Sequence, residues 1–313
     1  MKIKSIICAL LALTLIASAL AGCGTVKEEK EVNYKTRIGY DGEGNVIYKE
    51  ERELDGEGRI VKDTSYMQSD DGALYLDSIM ERAYNADGQD LSFKYYTTDN
   101  GTVDAYLSCE YKYEYTDGKV SKQESYYAHD GEMKLEDYTV YYYDSAKRIT
   151  KSEFYDLGED GTFVLASTTE NVYQGDFDTP VKTEYYSIED GEKSVICSYS
   201  TTLDEEGREV EHITESEWTH MKEVTEYRKD GKVAKKIAYT RDDFVSEWTE
   251  SFTETNTFNK DGKVTEILTV HPNGNVDKMV NEFENGKLSK STSYEKDKGE
   301  ADFILSYYET FEY

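Results

Sequence analysis

The sequence predicts an all-β fold, an antiparallel hairpin-repeat meander that is strongly curved, superhelical or closed on itself. Three observations carry that expectation. A short unit recurs at a spacing of about 30 residues, and self-similarity at a fixed period marks repeat architecture. A second set of glycine-centred turns falls between these units, so each repeat holds two turns and two strands. The residues between turns alternate with the period of two that a half-buried strand requires.

The unit reads aromatic or Leu, a few polar residues, Gly, a basic or amide residue, then an aliphatic. Its copies are Tyr40 to Val46, Leu54 to Ile60, Tyr84 to Leu91, Tyr115 to Val120, Leu203 to Val210, Tyr227 to Val233, Phe258 to Val264 and Phe283 to Leu288. Two copies are degenerate. Tyr143 to Ile149 has Lys147 where Gly is expected, and Tyr173 to Val181 carries Gly175 and Pro180 instead. The second set includes Asp70-Asp71-Gly72, Asp99-Asn100-Gly101, Asp130-Gly131, Asp160-Gly161, Asp190-Gly191, Asn273-Gly274 and Lys298-Gly299. Such pairs suit hairpins, because Gly, and to a lesser degree Asn and Asp, tolerate the positive φ that a tight β-turn demands.

Along Leu107 to Tyr115, the residues Leu107, Cys109, Tyr111, Tyr113 and Tyr115 alternate with Ser108, Glu110, Lys112 and Glu114. A second aromatic column returns past each turn at Tyr66, Tyr96, Tyr126, Tyr155, Tyr239 and Tyr294. Ser121, Gln123 and Ser125 are assigned to the polar face opposite it, and the aromatic face is expected to fold inward. About 18 strands at about 4.8 Å each would make a flat sheet roughly 85 Å wide. Sheets of that width coil, split or close.

Composition fixes the setting. The chain has 36 basic and 65 acidic residues, but 29 Tyr and 10 Phe make it far too aromatic for a solvated acidic tail. Lys2 and Lys4 precede an apolar run from Ile6 to Ala21, the form of a secretory leader. The run ends in Leu20-Ala21-Gly22-Cys23, which resembles the lipobox of bacterial lipoproteins. That resemblance implies residues 1–22 as a signal peptide, a diacylglyceryl group on Cys23, and an extracytoplasmic body at the cell membrane, or at the outer membrane of a cell that has one. Residues 23–32 then form the lipidated cysteine and a short charged tether, and 33–313 the hairpin-repeat domain.

Loss of Lys2 and Lys4 would leave 34 basic against 65 acidic residues, a net charge of −31. Nucleic acid is excluded as a partner, since a polyphosphate needs a positive surface. Anionic headgroups repel such a body too, so the lipid on Cys23 is the membrane contact. A membrane-spanning barrel is disfavoured by a mean hydropathy of −0.77 and by Lys and Glu spread through the strands.

At Tyr142-Tyr143-Asp144-Ser145-Ala146-Lys147-Arg148-Ile149-Thr150 the chain resembles a YD repeat of the Rhs type. Tyr40 to Val46 and Leu54 to Ile60 fit that pattern with one substitution each, and Tyr115 to Val120 is similar to MORN-variant hairpins of bacterial surface proteins. The resemblance implies hairpin strips that coil into a shell and an extracellular role in contacting carbohydrate or protein. It carries no catalytic residue.

Chemistry-bearing motifs are sparse. His129, His212, His220 and His271 are isolated, and no Walker loop, G-x-S-x-G elbow, H-E-x-x-H or EF-hand order occurs. No cofactor or metal is expected, and Cys109 and Cys197 are expected as free thiols about six strands apart. Aromatics off the regular columns are the candidate ligand contacts: Tyr127, Tyr138, Tyr142, Trp218 and Trp248. The reading is a monomeric, lipid-anchored binding or spacing scaffold for glycan or surface protein, without enzymatic activity. The alternative is an extracellular carbohydrate-active enzyme, but 65 acidic residues give no way to single out a carboxylate pair from spacing.

Overall fold

A computed structural model describes residues 34–69, 71–98, 105–242 and 247–313. The leader, Cys23 and the tether lie outside the described residues, as does the Asp99-Asn100-Gly101 turn. The strands are β1 (Thr36–Asp41), β2 (Val46–Leu54), β3 (Ile60–Gln68), β4 (Leu74–Tyr84), β5 (Asp90–Thr97), β6 (Tyr106–Thr116), β7 (Lys119–His129), β8 (Glu132–Tyr143), β9 (Ile149–Leu157) and β10 (Phe163–Tyr173). They continue with β11 (Pro180–Glu189), β12 (Glu192–Leu203), β13 (Glu209–Ser216), β14 (His220–Tyr227), β15 (Val233–Thr240), β16 (Thr249–Phe258), β17 (Val264–Val270), β18 (Val276–Glu284), β19 (Lys287–Lys296) and β20 (Ile304–Glu312).

Each strand pairs antiparallel with the next, and β1 also pairs with β20, so the meander closes into a 20-stranded barrel. The sequence expectation of about 18 strands is two short. Spacing between units contracts from 30 to 24 residues between Leu203 and Tyr227, yet both strands of that repeat persist, and the close copies at Tyr40 and Leu54 supply a hairpin of their own. Twenty strands at about 4.8 Å give a circumference near 96 Å before tilt, a bore wide enough for water. In keeping with a hollow wall, no large side chain among the described residues is fully buried.

Cross-strand partners share a face, and the register therefore sorts the wall into two sides. Arg82, Phe93, Tyr111, Ser125, Asp137 and Asp156 follow one another strand by strand on one side. This is the inner side, for it holds the buried Asp63, Phe93, Gln123, Ser125, Tyr141 and Ala238. The polar assignment of Gln123 and Ser125 is thereby corrected. They oppose Tyr113 and Tyr111 and share the inner face with that aromatic column.

The second column faces outward instead. Tyr126 pairs with Glu110, and Tyr155 with Tyr138, on the opposite side of the wall. That side carries ion pairs at Lys49–Glu51 (2.6 Å), Lys122–Glu124 (2.6 Å), Lys151–Glu153 (2.6 Å) and Lys182–Glu184 (2.9 Å). Their Glu carboxylates also accept the hydroxyls of Tyr126, Tyr155 and Tyr186. A Lys facing hydrocarbon at mid-depth costs about 2 to 4 kcal/mol. So charged an exterior is built for water.

The Tyr-Asp turns sit at one end of the barrel, after the even-numbered strands, and each is braced to its neighbour. Asp55 Oδ1 accepts the N–H groups of Glu57 and Arg59, both at 2.9 Å, while Oδ2 takes Arg59 Nε at 2.7 Å. The Arg59 guanidinium lies 4.4 Å over the ring of Tyr84 in the next turn, and Tyr84 donates its hydroxyl back to Ile60 O at 2.8 Å. The same back-donation recurs at Tyr115 to Asp90 O (2.6 Å), Tyr143 to Val120 O (2.7 Å), Tyr173 to Ile149 O (2.8 Å), Tyr227 to Glu209 O (2.8 Å) and Tyr313 to Leu288 O (2.9 Å). Where Phe258 and Phe283 lack the hydroxyl, Asn256 and Asn281 two residues earlier donate to Val233 O (3.1 Å) and Val264 O (3.2 Å).

The basic or amide position has a second task. Gln89 reaches Gly118 O at 2.8 Å and Arg148 reaches Gly175 O at 2.8 Å, while Lys232 and Lys263 reach Gly262 O and Gly286 O. Lys147 adopts φ 66° where the motif places Gly. The Tyr40 copy is the exception in location. It forms the β1–β2 turn at the opposite rim, among the Asp-Gly hairpins such as Asp130-Gly131, whose φ angles of 51° and 82° are both positive.

Candidate functional site

The densest polar constellation lies on the inner face where the barrel closes. Glu309 Oε1 receives Arg37 Nη2 at 2.5 Å and the hydroxyls of Tyr48 and Tyr307, whose oxygens lie 2.7 Å apart. Tyr34 donates to Glu50 at 2.5 Å, and Arg52 pairs with Asp63 at 2.9 Å while lying 4.0 Å over the Tyr34 ring. Burial acts to raise Glu309, but the bonds from Arg37, Tyr307 and Tyr48 outweigh it and hold its carboxyl below the usual range. Burial and the hydroxyl bond to Glu309 push Tyr48 well above an ordinary phenol. Although Arg37 Nε and Asp63 Oδ1 stay without a hydrogen-bond partner, the bonds from Arg37, Tyr48 and Tyr307 to Glu309 tie β20 to β1 and β2. Its bonded partners stand up to 272 residues apart, a distance at which the sequence carries no signal.

A second inner-face feature is the carboxyl pair Asp137 and Asp156, directly opposite in register. Burial raises Asp137 to about 6, a bond to Ser125 opposes this, and the Asp156 charge adds to it. A buried carboxyl whose proton is held more tightly than usual, facing a second carboxyl across the strand pair, is one ingredient of an acid–base couple. Spacing along the chain could not distinguish this pair from other acids, because β-register alone brings it together.

The five candidate contacts are not gathered in one place. Tyr127 opposes Cys109 on the inner face. Tyr138 is outside, stacked 4.7 Å from Tyr155 and 5.0 Å edge-on to Phe163. Tyr142 is exposed on the same outer wall and donates to Glu153 at 2.6 Å. Both tryptophans occupy the rim opposite the Tyr-Asp turns. Trp248 is flanked by Arg241 at 4.8 Å and Lys222 at 5.5 Å, whereas Trp218, in the β13–β14 turn, is 84% exposed.

Cys109 and Cys197 are unbridged, half-buried, and six strands apart on β6 and β12. His129 and His271 meet Glu136 (2.5 Å) and Asp277 (2.7 Å), and His212 meets Thr201 at 3.2 Å. Among the described residues no group of three His, Cys, Asp or Glu is placed to hold a metal. A shallow outer-wall recess of about 320 Å³ is lined by Glu53, Lys62, Glu81, Ser92 and Lys94 among others.

No protein-family model and no curated protein matches the chain. Among solved structures it is similar to a porin-like protein from Bacteroides uniformis, at 8% identity over 90% of this chain and 96% of that one, with a TM-score of 0.32. A protein from Lactobacillus plantarum matches at 11% identity, over 87% and 98%, with a TM-score of 0.26. The Tc holotoxin pore of Photorhabdus luminescens matches at 11% identity and a TM-score of 0.32, this chain covering 16% of its length and the match covering 80% of this chain.

Proposed function

We propose that the protein is a lipid-anchored, extracytoplasmic barrel that stands on its Tyr-Asp end and presents the opposite rim to glycan or protein. One observation carries this reading. The chain enters the barrel at the braced end, where Lys35 N–H bonds Glu312 O at 2.7 Å and Arg52 N–H bonds Lys35 O at 2.8 Å, while Trp218 and Trp248 lie at the other. From a lipidated Cys23 to Tyr34 the chain spans at most about 40 Å. The braced end is then the one near the membrane.

Bilayer-confined quenchers test it, because the chain has two tryptophans and both sit at the far rim. In vesicles, native emission should be unquenched, while Ala146→Trp, in a turn at the braced end, should add a quenched component. Detergent partition should separate the native protein from Cys23→Ser. Quenching of the native pair, or equal partition, would refute the reading.

The Asp137–Asp156 pair supports a second reading, an extracellular glycoside hydrolase acting within the bore. Hydrolysis of a polysaccharide panel, abolished in Asp137→Asn with the fold intact, would favour it over the scaffold.

A further inference from the structure

β12 differs from the other strands at its first turn of chain. Its residues 192–196 are all exposed, and they include Val195 at 55% and Ile196 at 51%. Pairing with β11 runs through this stretch, from Glu189↔Glu192 to Tyr186↔Val195. Pairing with β13 begins only at Cys197↔Ser216. Among the described residues, the far side of 192–196 is therefore a sheet margin without a strand. The chain leaves β13 after Ser216, which pairs with Cys197 where that margin begins, so Glu217 and the 84% exposed Trp218 follow at the same rim as the two exposed aliphatics.

Isolated apolar residues on a surface need no explanation, but a contiguous exposed set rimmed by polar groups marks an interaction site. Here the rim is acidic: Glu189, Asp190, Glu192 and Glu217 are all exposed, and the nearby Lys193 is engaged with Glu170 at 2.6 Å. A bare margin offers backbone N–H and C=O groups to an added strand, and flanking side chains set which strand fits. Tryptophan, with tyrosine and arginine, is enriched among the residues that anchor protein contacts.

We propose that the margin of β12 at residues 192–196, with Trp218 beside it, is a docking edge for an extended segment of another protein in which apolar residues alternate with basic ones. The backbone of the segment would pair with β12, its apolar side chains would lie against Val195, Ile196 and Trp218, and its cations would meet the carboxylates. This deepens the binding-scaffold reading and rests on it.

The test uses the full chain in detergent micelles, in a Trp248→Phe background so that emission reports Trp218 alone. An end-blocked Lys-Val alternating peptide should shift that emission saturably. Glu-Val and Lys-Ser peptides, and a Lys-Val peptide N-methylated on alternate residues, should bind at least tenfold more weakly. Val195→Asp should weaken binding at least tenfold, and Glu192→Gln with Glu217→Gln several-fold, with circular dichroism unchanged. Equal binding of the Lys-Ser or N-methylated peptide, or no loss in Val195→Asp, overturns the docking edge. A β-1,4-linked glucose oligomer that shifts the emission while the Lys-Val peptide does not would overturn it and leave the scaffold reading standing. No response to either overturns both.

Discussion

The two ends of the barrel are built from similar turns but are held differently. At the Tyr-Asp end the turns at Asp55, Asp144 and Asn259 are fixed internally by that side chain, capped by the next repeat's aromatic ring, and tied through that repeat's hydroxyl or amide to a backbone carbonyl. At the opposite rim the Asp-Gly hairpins close on themselves, with a few ties across repeats such as Asn275 to Asp297 at 3.0 Å and Arg241 to Glu215 at 2.8 Å. A repeat array draws much of its stability from the contacts between neighbouring repeats. The contrast therefore separates an end that carries cohesion from an end free to carry recognition.

The largest test of that contrast is a pair of truncations. Tyr143→Ala removes a half-buried ring and its bond to Val120 O, and should cost about 2 to 4 kcal/mol by chemical denaturation. Trp218→Ala, at the other rim, should stay within about 0.5 kcal/mol. Equal losses would erase the distinction between the ends.

Acidity should also separate the braced end from the inner face. Backbone N–H bonds from Arg59 and Arg148 hold Asp55 and Asp144 below the usual range, so their stabilisation is present above their unfolded pKa near 4 and lost as pH falls. Asp137 has the opposite sign. Its folded value of about 6 lies above the unfolded 3.8, so its contribution is full below pH 4 and lost as pH rises to 6. Asp137→Asn should therefore stabilise the barrel at pH 7, by no more than about 3 kcal/mol at 1.36 kcal/mol per pKa unit. The difference from the parent should vanish near pH 4. A constant difference across that range would show that Asp137 is not the titrating group.

Redundancy within the braced end gives a finer comparison. Tyr143→Phe deletes a bond and should cost about 1 kcal/mol. Tyr173→Phe should cost less than half of that, because Asn171 also donates to Ile149 O, at 2.9 Å. The smallest effect is a gain. Lys147→Gly relieves a left-handed residue and should stabilise by about 1 kcal/mol, provided its bond to Asp144 O, at 3.0 Å, is kept.

Local sequence was enough for what depends on local sterics. The Asp-Gly turns, the alternation from Leu107 to Tyr115 and the recurrence of the aromatic unit made strands, hairpins and repeat legible, because positive φ and a period of two are properties of a few consecutive residues. The role of the motif's basic residue was not legible. Arg148 is explained by Tyr173 and Gly175, which stand one repeat away, at 4.5 and 2.8 Å.

Nor could the sequence alone say which face each column takes. The register between β6 and β7 puts Tyr111 against Ser125 and sends Tyr126 outward, and a slip by one residue would reverse both. Closure lies further still from the sequence. Arg37 and Glu309 meet only because twenty twisted strands return β20 to β1, and that is a sum over the whole wall which no single repeat encodes. The same sum places Trp218 and Trp248 on one rim and Tyr34 at the other end, so the tertiary structure alone decides which residues the barrel can present.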